Sequence, residues 1–188
     1  MTEVLAAVGP HEDTVRVLQA WRPADHGQES LRHAYLGFLD ACPEACLRRN
    51  VPGHITASTV VLDETGERVL LTLHPRFGRW LQVGGHCEPD DTTLVGAALR
   101  EATEESGIPD LAIDPVPVQL YVCPVTCSLG VPTRHFDVRF LARAPKGATP
   151  VRSHESVDLR WWPVNALPDG DKPDDLPGLV TAALSRAT

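Results

Sequence analysis

The chain has 188 residues, 43% hydrophobic and 22% charged, with a formal net charge of −8. That length suits one domain with a full core and room for a small appendage. Only two lysines accompany fifteen arginines and no basic run occurs, which argues against a nucleic-acid polymer as partner.

Residues 1–50 read as helical. The segment 1–11 has an apolar patch but no basic residues ahead of it, so no signal peptide is expected. Residues 11–21 carry Val15, Leu18 and Trp21 at helical spacing, and 28–42 place Leu31, Tyr35, Phe38, Leu39 and Cys42 on one face. A shorter helical piece is expected over 44–49, after Pro43. These helices are expected to cover a sheet or to mediate a homodimer contact.

From His54 the pattern becomes that of strands. Residues 55–62 and 69–74 flank Asp63-Glu64-Thr65-Gly66, a hairpin turn. A short strand over 80–83 delivers the chain to a turn at Gly84-Gly85 and then to a helix. Strands follow over 116–127, 134–144 and 157–162. The second of these alternates, with Phe136, Val138, Phe140 and Ala142 on one face and His135, Asp137 and Arg139 on the other. A last helix is expected over 176–186. No window approaches the roughly 18 uninterrupted apolar residues of a membrane span. Five cysteines, an odd number without framework spacing, suit reduced thiols in a cytoplasmic protein.

The most informative stretch runs from Gly85 to Ile108. Its helix places Glu101, Glu104 and Glu105 within an arc of roughly 100°. Like charges at that spacing each cost a few tenths of a kcal/mol, and negative charge in the C-terminal half opposes the helix dipole. Folding alone would not choose such a stripe; a bound divalent cation with oxygen ligands explains it.

The same stretch resembles the box of the Nudix hydrolases, G-x5-E-x7-R-E-U-x-E-E-x-G-U with U aliphatic. Arg100-Glu101-Ala102-Thr103-Glu104-Glu105-Ser106-Gly107-Ile108 matches its second half. The first half departs from it: Asp91 stands for the first box glutamate, one extra residue precedes Arg100, and Val83 replaces the usual proline. Asp91, Thr92 and Thr93 are each suited to cap the helix.

What the resemblance implies is an α/β (α+β) fold, a mixed β-sheet sandwiched between helices over 51–188, preceded by the helical extension of 1–50. It also implies hydrolysis of a phosphoanhydride bond, assisted by Mg2+ or Mn2+, in a nucleoside diphosphate linked to another moiety. Glu104, Glu105 and the Gly84 or Gly85 carbonyl become metal ligands, Glu101 a ligand or the base that activates water, and Arg100 orients a box glutamate. Glu155, six residues before Trp161-Trp162, is a candidate fourth ligand or base, with Asp158 a weaker one. An isomerase of isopentenyl diphosphate type, to which His86 and Cys87 lend slight support, and a non-catalytic nucleotide-sensing module are the alternatives.

Outside the box, His54, His74, His86 and His135 are expected to approach one another across the sheet. Substrate contact is the favoured role for His86, His135, Asp137 and Arg139, because no tight ligand spacing points to zinc. Cys42, Cys46, Cys123 and Cys127 read as buried small hydrophobes, while Cys87, beside the glycine turn, is a candidate reactive thiol. Pro124 either marks an ADP-ribose-like specificity or ends a strand.

Overall fold

The computed structural model describes residues 9–127, 130–169 and 175–187. Residues 1–8, read above for a leader, and part of the connection before the last helix lie outside them. Two helices come first, α1 (Pro10–Ala20) and α2 (His26–Ala41). The strands β1 (His54–Leu62), β2 (Arg68–His74), β3 (Arg79–Leu81) and β4 (Val83–His86) lead to α3 (Leu94–Ser106). Then come β5 (Ala112–Thr126), β6 (Pro132–Arg143), β7 (Asp158–Pro163) and α4 (Leu176–Ala187). No helix among the described residues is long and apolar enough to cross a membrane.

β1 is the pivot of a seven-stranded mixed sheet, and all nine of its residues are buried. One edge runs parallel to β6, from His54 opposite His135 to Leu62 opposite Arg143. The other edge is divided: β4 pairs with it from Thr56 to Thr59, and β2 takes over at Val61 and Leu62. β2 in turn pairs with β3 and β7, and β5 closes the far side against β6.

Strand alternation sends successive β1 side chains to opposite faces. Val60 and Leu62, with Val69, Leu71 and Leu141, are covered by Leu176, Leu179, Val180 and Ala183 of α4. On the reverse face Val61, Leu70, Val83 and Ala142 meet Ala102 of α3 and Ile108 just beyond it. α1 and α2 cover Ile55, Ala57, Val138 and Phe140 through Leu18, Tyr35 and Leu39, together with the start of α3. Thr56 and Ser58 share the α4 face but lie beyond that helix, and the open space there is the candidate site.

Three expectations are corrected. Residues 44–49 form successive turns, with Ala45 N–H donating to Cys42 and Leu47 N–H to Glu44, since Pro43 removes a donor and six residues are too few to nucleate a helix. Gly84 and Gly85 lie within strand β4, where pairing to Ser58 and Ala57 holds them extended. Pro124 lies inside β5, tolerated because that strand is the edge of the sheet. The β6 alternation stands as read.

Candidate active site

α3 delivers the acidic stripe. Thr93 caps it, accepting from Gly96 N–H at 3.1 Å, and the first helical amide, Leu94 N–H, donates to the Asp13 carboxylate of α1 at 2.7 Å. Gly107, at φ 64°, ends the helix in the left-handed region. Arg100 is held from several sides: Asp91 at 2.9 Å, Glu104 at 3.2 Å, Glu101 at 3.3 Å and the His86 carbonyl at 3.0 Å. Asp91 thus engages the box arginine despite the extra residue between them.

Proximity requires glycine at 84, and Gly85 lies close against a side chain of α3. At Gly84, φ is 144° and a Cβ would fall 2.4 Å from Ser58 Cα; at Gly85 a Cβ would fall 2.6 Å from the Glu101 carboxylate. Strand β4 therefore lies directly against α3, and Gly84 N–H donates to Glu105 Oε2 at 3.0 Å.

The three glutamates share one stripe but not one environment. Glu104 is 60% exposed in its side chain, Glu101 only 13%. Burial raises the Glu101 pKa, with Arg100 opposing the rise. Burial pushes Glu105 further, to about 7; the Gly84 amide opposes this while Glu101 and Glu155 add to it. Glu155, in the loop before β7, lines the same cavity, and its charge adds to the rise at Glu101 and Glu105. Gathering acids where burial already penalises their charge is unfavourable without a cation. The donors are oxygens on a helix and two loops or strands, the set a hard divalent ion takes. The residues present fit such an ion.

The cavity is about 430 Å³. Opposite the acids its wall carries the polar face of β6. Asp137 accepts from Thr56 Oγ1 at 3.0 Å, Ser58 Oγ at 2.7 Å and Arg139 Nε at 3.0 Å. Arg139 also contacts Gln119 and Asp175 and lies over the Tyr121 ring at 4.3 Å. Both line the cavity as expected, yet their polar atoms are engaged with the protein, which fixes the wall.

Arg48, Arg76 and Arg79 also reach the cavity, as does Phe77 with a third of its surface exposed. Sequence reasoning missed them; the only signal was the density of arginine in 76–79 between two strands.

The histidines divide. His54, His86 and His135 gather with ring centroids 4.9–5.1 Å apart, whereas His74 packs on Phe77. Burial and neighbouring cations hold His86 down to about 2 and His135 to about 4, so both are neutral near pH 7. Cys87 is 5% exposed beside Cys46, absent from the cavity wall, and its thiol is pushed up by that contact and by burial. Its expected reactivity is therefore corrected: a buried neutral thiol is a poor nucleophile.

Comparison with known proteins follows the same lines. None of the curated proteins matches the sequence. Among solved structures, an Ap4A hydrolase binary complex from C. elegans has a TM-score of 0.53 at 20% identity, over 71% of this chain and 96% of that one. A MutT/nudix family protein from Enterococcus faecalis has a TM-score of 0.54 at 17% identity, covering 88% and 75%. The NUDIX domain of Shewanella oneidensis NrtR, complexed with ADP ribose, has a TM-score of 0.51 at 20% identity, covering 71% and 88%. These likenesses establish the fold. The family model described as NUDIX domain matches residues 52–180, most of the chain and all of the acidic helix. On that match, and with the fold and box geometry in agreement, the chain belongs to the Nudix hydrolase family.

Proposed function

We propose that this protein hydrolyses a phosphoanhydride bond in a nucleoside diphosphate linked to another moiety, with Mg2+ or Mn2+ held by Glu101, Glu104, Glu105 and Glu155 and by the Gly85 carbonyl. The observation that carries the reading is the gathering of Glu101, Glu104, Glu105 and Glu155 along one cavity rimmed by arginines, with Glu105 buried and raised to about 7. Bound divalent metal would supply neutralisation of phosphate charge and a lowered pKa for water. The chain's own groups do the rest. Arg100 fixes the orientation of Glu101 and Glu104 through its contacts with both. Glu101, partly buried with a raised pKa, suits the role of base that takes the proton from water. Arg76 and Arg79 face the cavity where phosphate oxygens would lie, and Phe77 offers an aromatic surface for a base. Asp137 and Arg139 stiffen the far wall, and His86 and His135 line it.

The isomerase alternative drew on His86 and Cys87; His86 lines the cavity but Cys87 does not, and the helix keeps the glutamates of the hydrolytic box. The sensing alternative is disfavoured by retention of all three helix glutamates. ADP-ribose and dinucleoside polyphosphates head the substrate panel because relatives of the same fold are complexed with the one and named for the other.

The test is a metal-dependent screen across nucleotide sugars, dinucleoside polyphosphates, ADP-ribose, NADH and nucleoside triphosphates, with products identified. Turnover of at least one is expected, with Glu105→Gln lowering kcat/KM by about 10²-fold or more. No turnover across the panel, or equal turnover by Glu105→Gln, overturns the reading.

A further inference from the structure

We propose that His54, His86, His135 and Cys127 form a second metal centre, distinct from the acidic helix, that takes one zinc-class divalent ion through three imidazoles and a thiolate. The donor atoms of these four side chains all lie within 4.8 Å of one another. Cys127 Sγ is 3.4 Å from His86 Nε2 and 4.0 Å from His54 Nε2. In a tetrahedral zinc site with bonds of about 2.0–2.3 Å, three nitrogens and one sulfur stand roughly 3.3–3.6 Å apart, so each would move inward by less than about 1 Å.

Sheet topology makes this set and no sequence motif does. His54 begins β1 and lies opposite His135 of β6 in the parallel register, while Thr56, two residues on, lies opposite His86 of β4. Cys127 follows the end of β5, on the same face as Cys123, which is the register partner of His135. Three neighbouring strands, and the residue just beyond a fourth, thus each supply one donor to one point.

Two details fit a ligand role. His54 Nδ1 lies 3.3 Å from the Asn50 carbonyl, and donation there leaves Nε2 as the lone-pair nitrogen, the usual support behind a metal-bound imidazole. His135 Nε2 is buried and has no hydrogen-bond partner among the described residues, an uncompensated cost that a metal bond removes. One detail must change on binding. Arg48 Nη2 stands 2.8 Å from His86 Nδ1, so a metal on Nε2 requires the other tautomer and an outward swing of the exposed Arg48 side chain.

Nitrogen and sulfur donors select zinc-class ions over magnesium, and a fully protein-ligated tetrahedron is the closed, structural kind. Its effect is to tie the loop after β5 to β1, β4 and β6 at the end of the cavity remote from α4. In this assignment His86 and His135 are ligands and not substrate contacts. The assignment does not depend on what the acidic helix hydrolyses.

The test is titration of the metal-free full-length protein with Co2+, then with Zn2+. Expected, with excess Mg2+ present to occupy the acidic helix, are one equivalent bound, strong visible bands of a tetrahedral ion and a near-ultraviolet thiolate-to-cobalt band, all displaced by Zn2+. Cys127→Ser should abolish the thiolate band, and Glu104→Gln should keep it while losing turnover. X-ray absorption at the zinc edge of the unsubstituted protein, showing three nitrogens and one sulfur, serves if Cys127→Ser fails to fold. Absence of the thiolate band, its persistence in Cys127→Ser, an all-oxygen zinc shell or displacement by Mg2+ overturns the assignment.

Discussion

Glu105 concentrates the electrostatics of the site in one side chain. Its folded carboxyl titrates near 7, against 4.5 for an ordinary glutamate. The folded state then holds the proton more tightly than the unfolded chain does. Without metal, that group's contribution is fully present below about pH 4.5 and is lost as pH rises toward 7, a swing on the order of 3 kcal/mol. His86 works in the opposite sense: depressed to about 2 from 6.5, it penalises the fold as pH falls below the unfolded value. A cation bound at Glu105 competes with the proton, so its stabilisation should grow with pH. Thermal melts with and without Mg2+ should show a larger metal-induced rise in Tm at about pH 8 than at about pH 5.5. Glu105→Gln should flatten that difference.

Strand β4 packs between β1 and helix α3, and glycine at 84 is what lets it approach β1. Gly84→Ala adds a Cβ within 2.4 Å of Ser58 backbone at a φ of 144°. Strain and overlap together should cost about 3 kcal/mol or more, read as a lowered urea midpoint. The helix half of this packing was legible from spacing alone, because Arg100 through Ile108 fixes three acids on one stripe. The strand half was not. Two consecutive glycines carry no alternation of side chains, so the residues that let β4 lie flat against α3 looked like a turn. The β6 wall was legible for the converse reason, with an unbroken alternation from His135 to Ala142. Cys127 read as a buried small hydrophobe because its neighbours come from other strands; a set of side chains assembled by pairing leaves no local spacing. Arg76 and Arg79 were likewise hidden, since only the fold shows which arginines beside and within β3 reach the cavity.

At the scale of the whole molecule, the first two helices are built into the body. Gln28 exchanges hydrogen bonds with the backbone of Leu120, where the pairing of β5 shifts register, and Tyr35 Oη donates to the carbonyls of Tyr121 and Asp137. Tyr35, Leu18 and Leu39 are fully buried on Ile55, Val138 and Phe140. A shortened chain beginning at residue 44 should therefore lose cooperative unfolding and bind a hydrophobic dye, as its circular dichroism melt and dye fluorescence would show. A shortened chain with the melting profile of the full one would mean that residues 52–180 stand alone.

The bond from Leu94 N–H to Asp13 spans 81 positions of sequence. It anchors the leading end of the helix whose trailing end carries the carboxylates, so the bearing of those oxygens is set partly by a side chain far outside the box. Evolutionary drift in the opening helix is thereby tethered to chemistry it never touches: a relative that lost this aspartate would need another acceptor at that spot, or a helix seated differently.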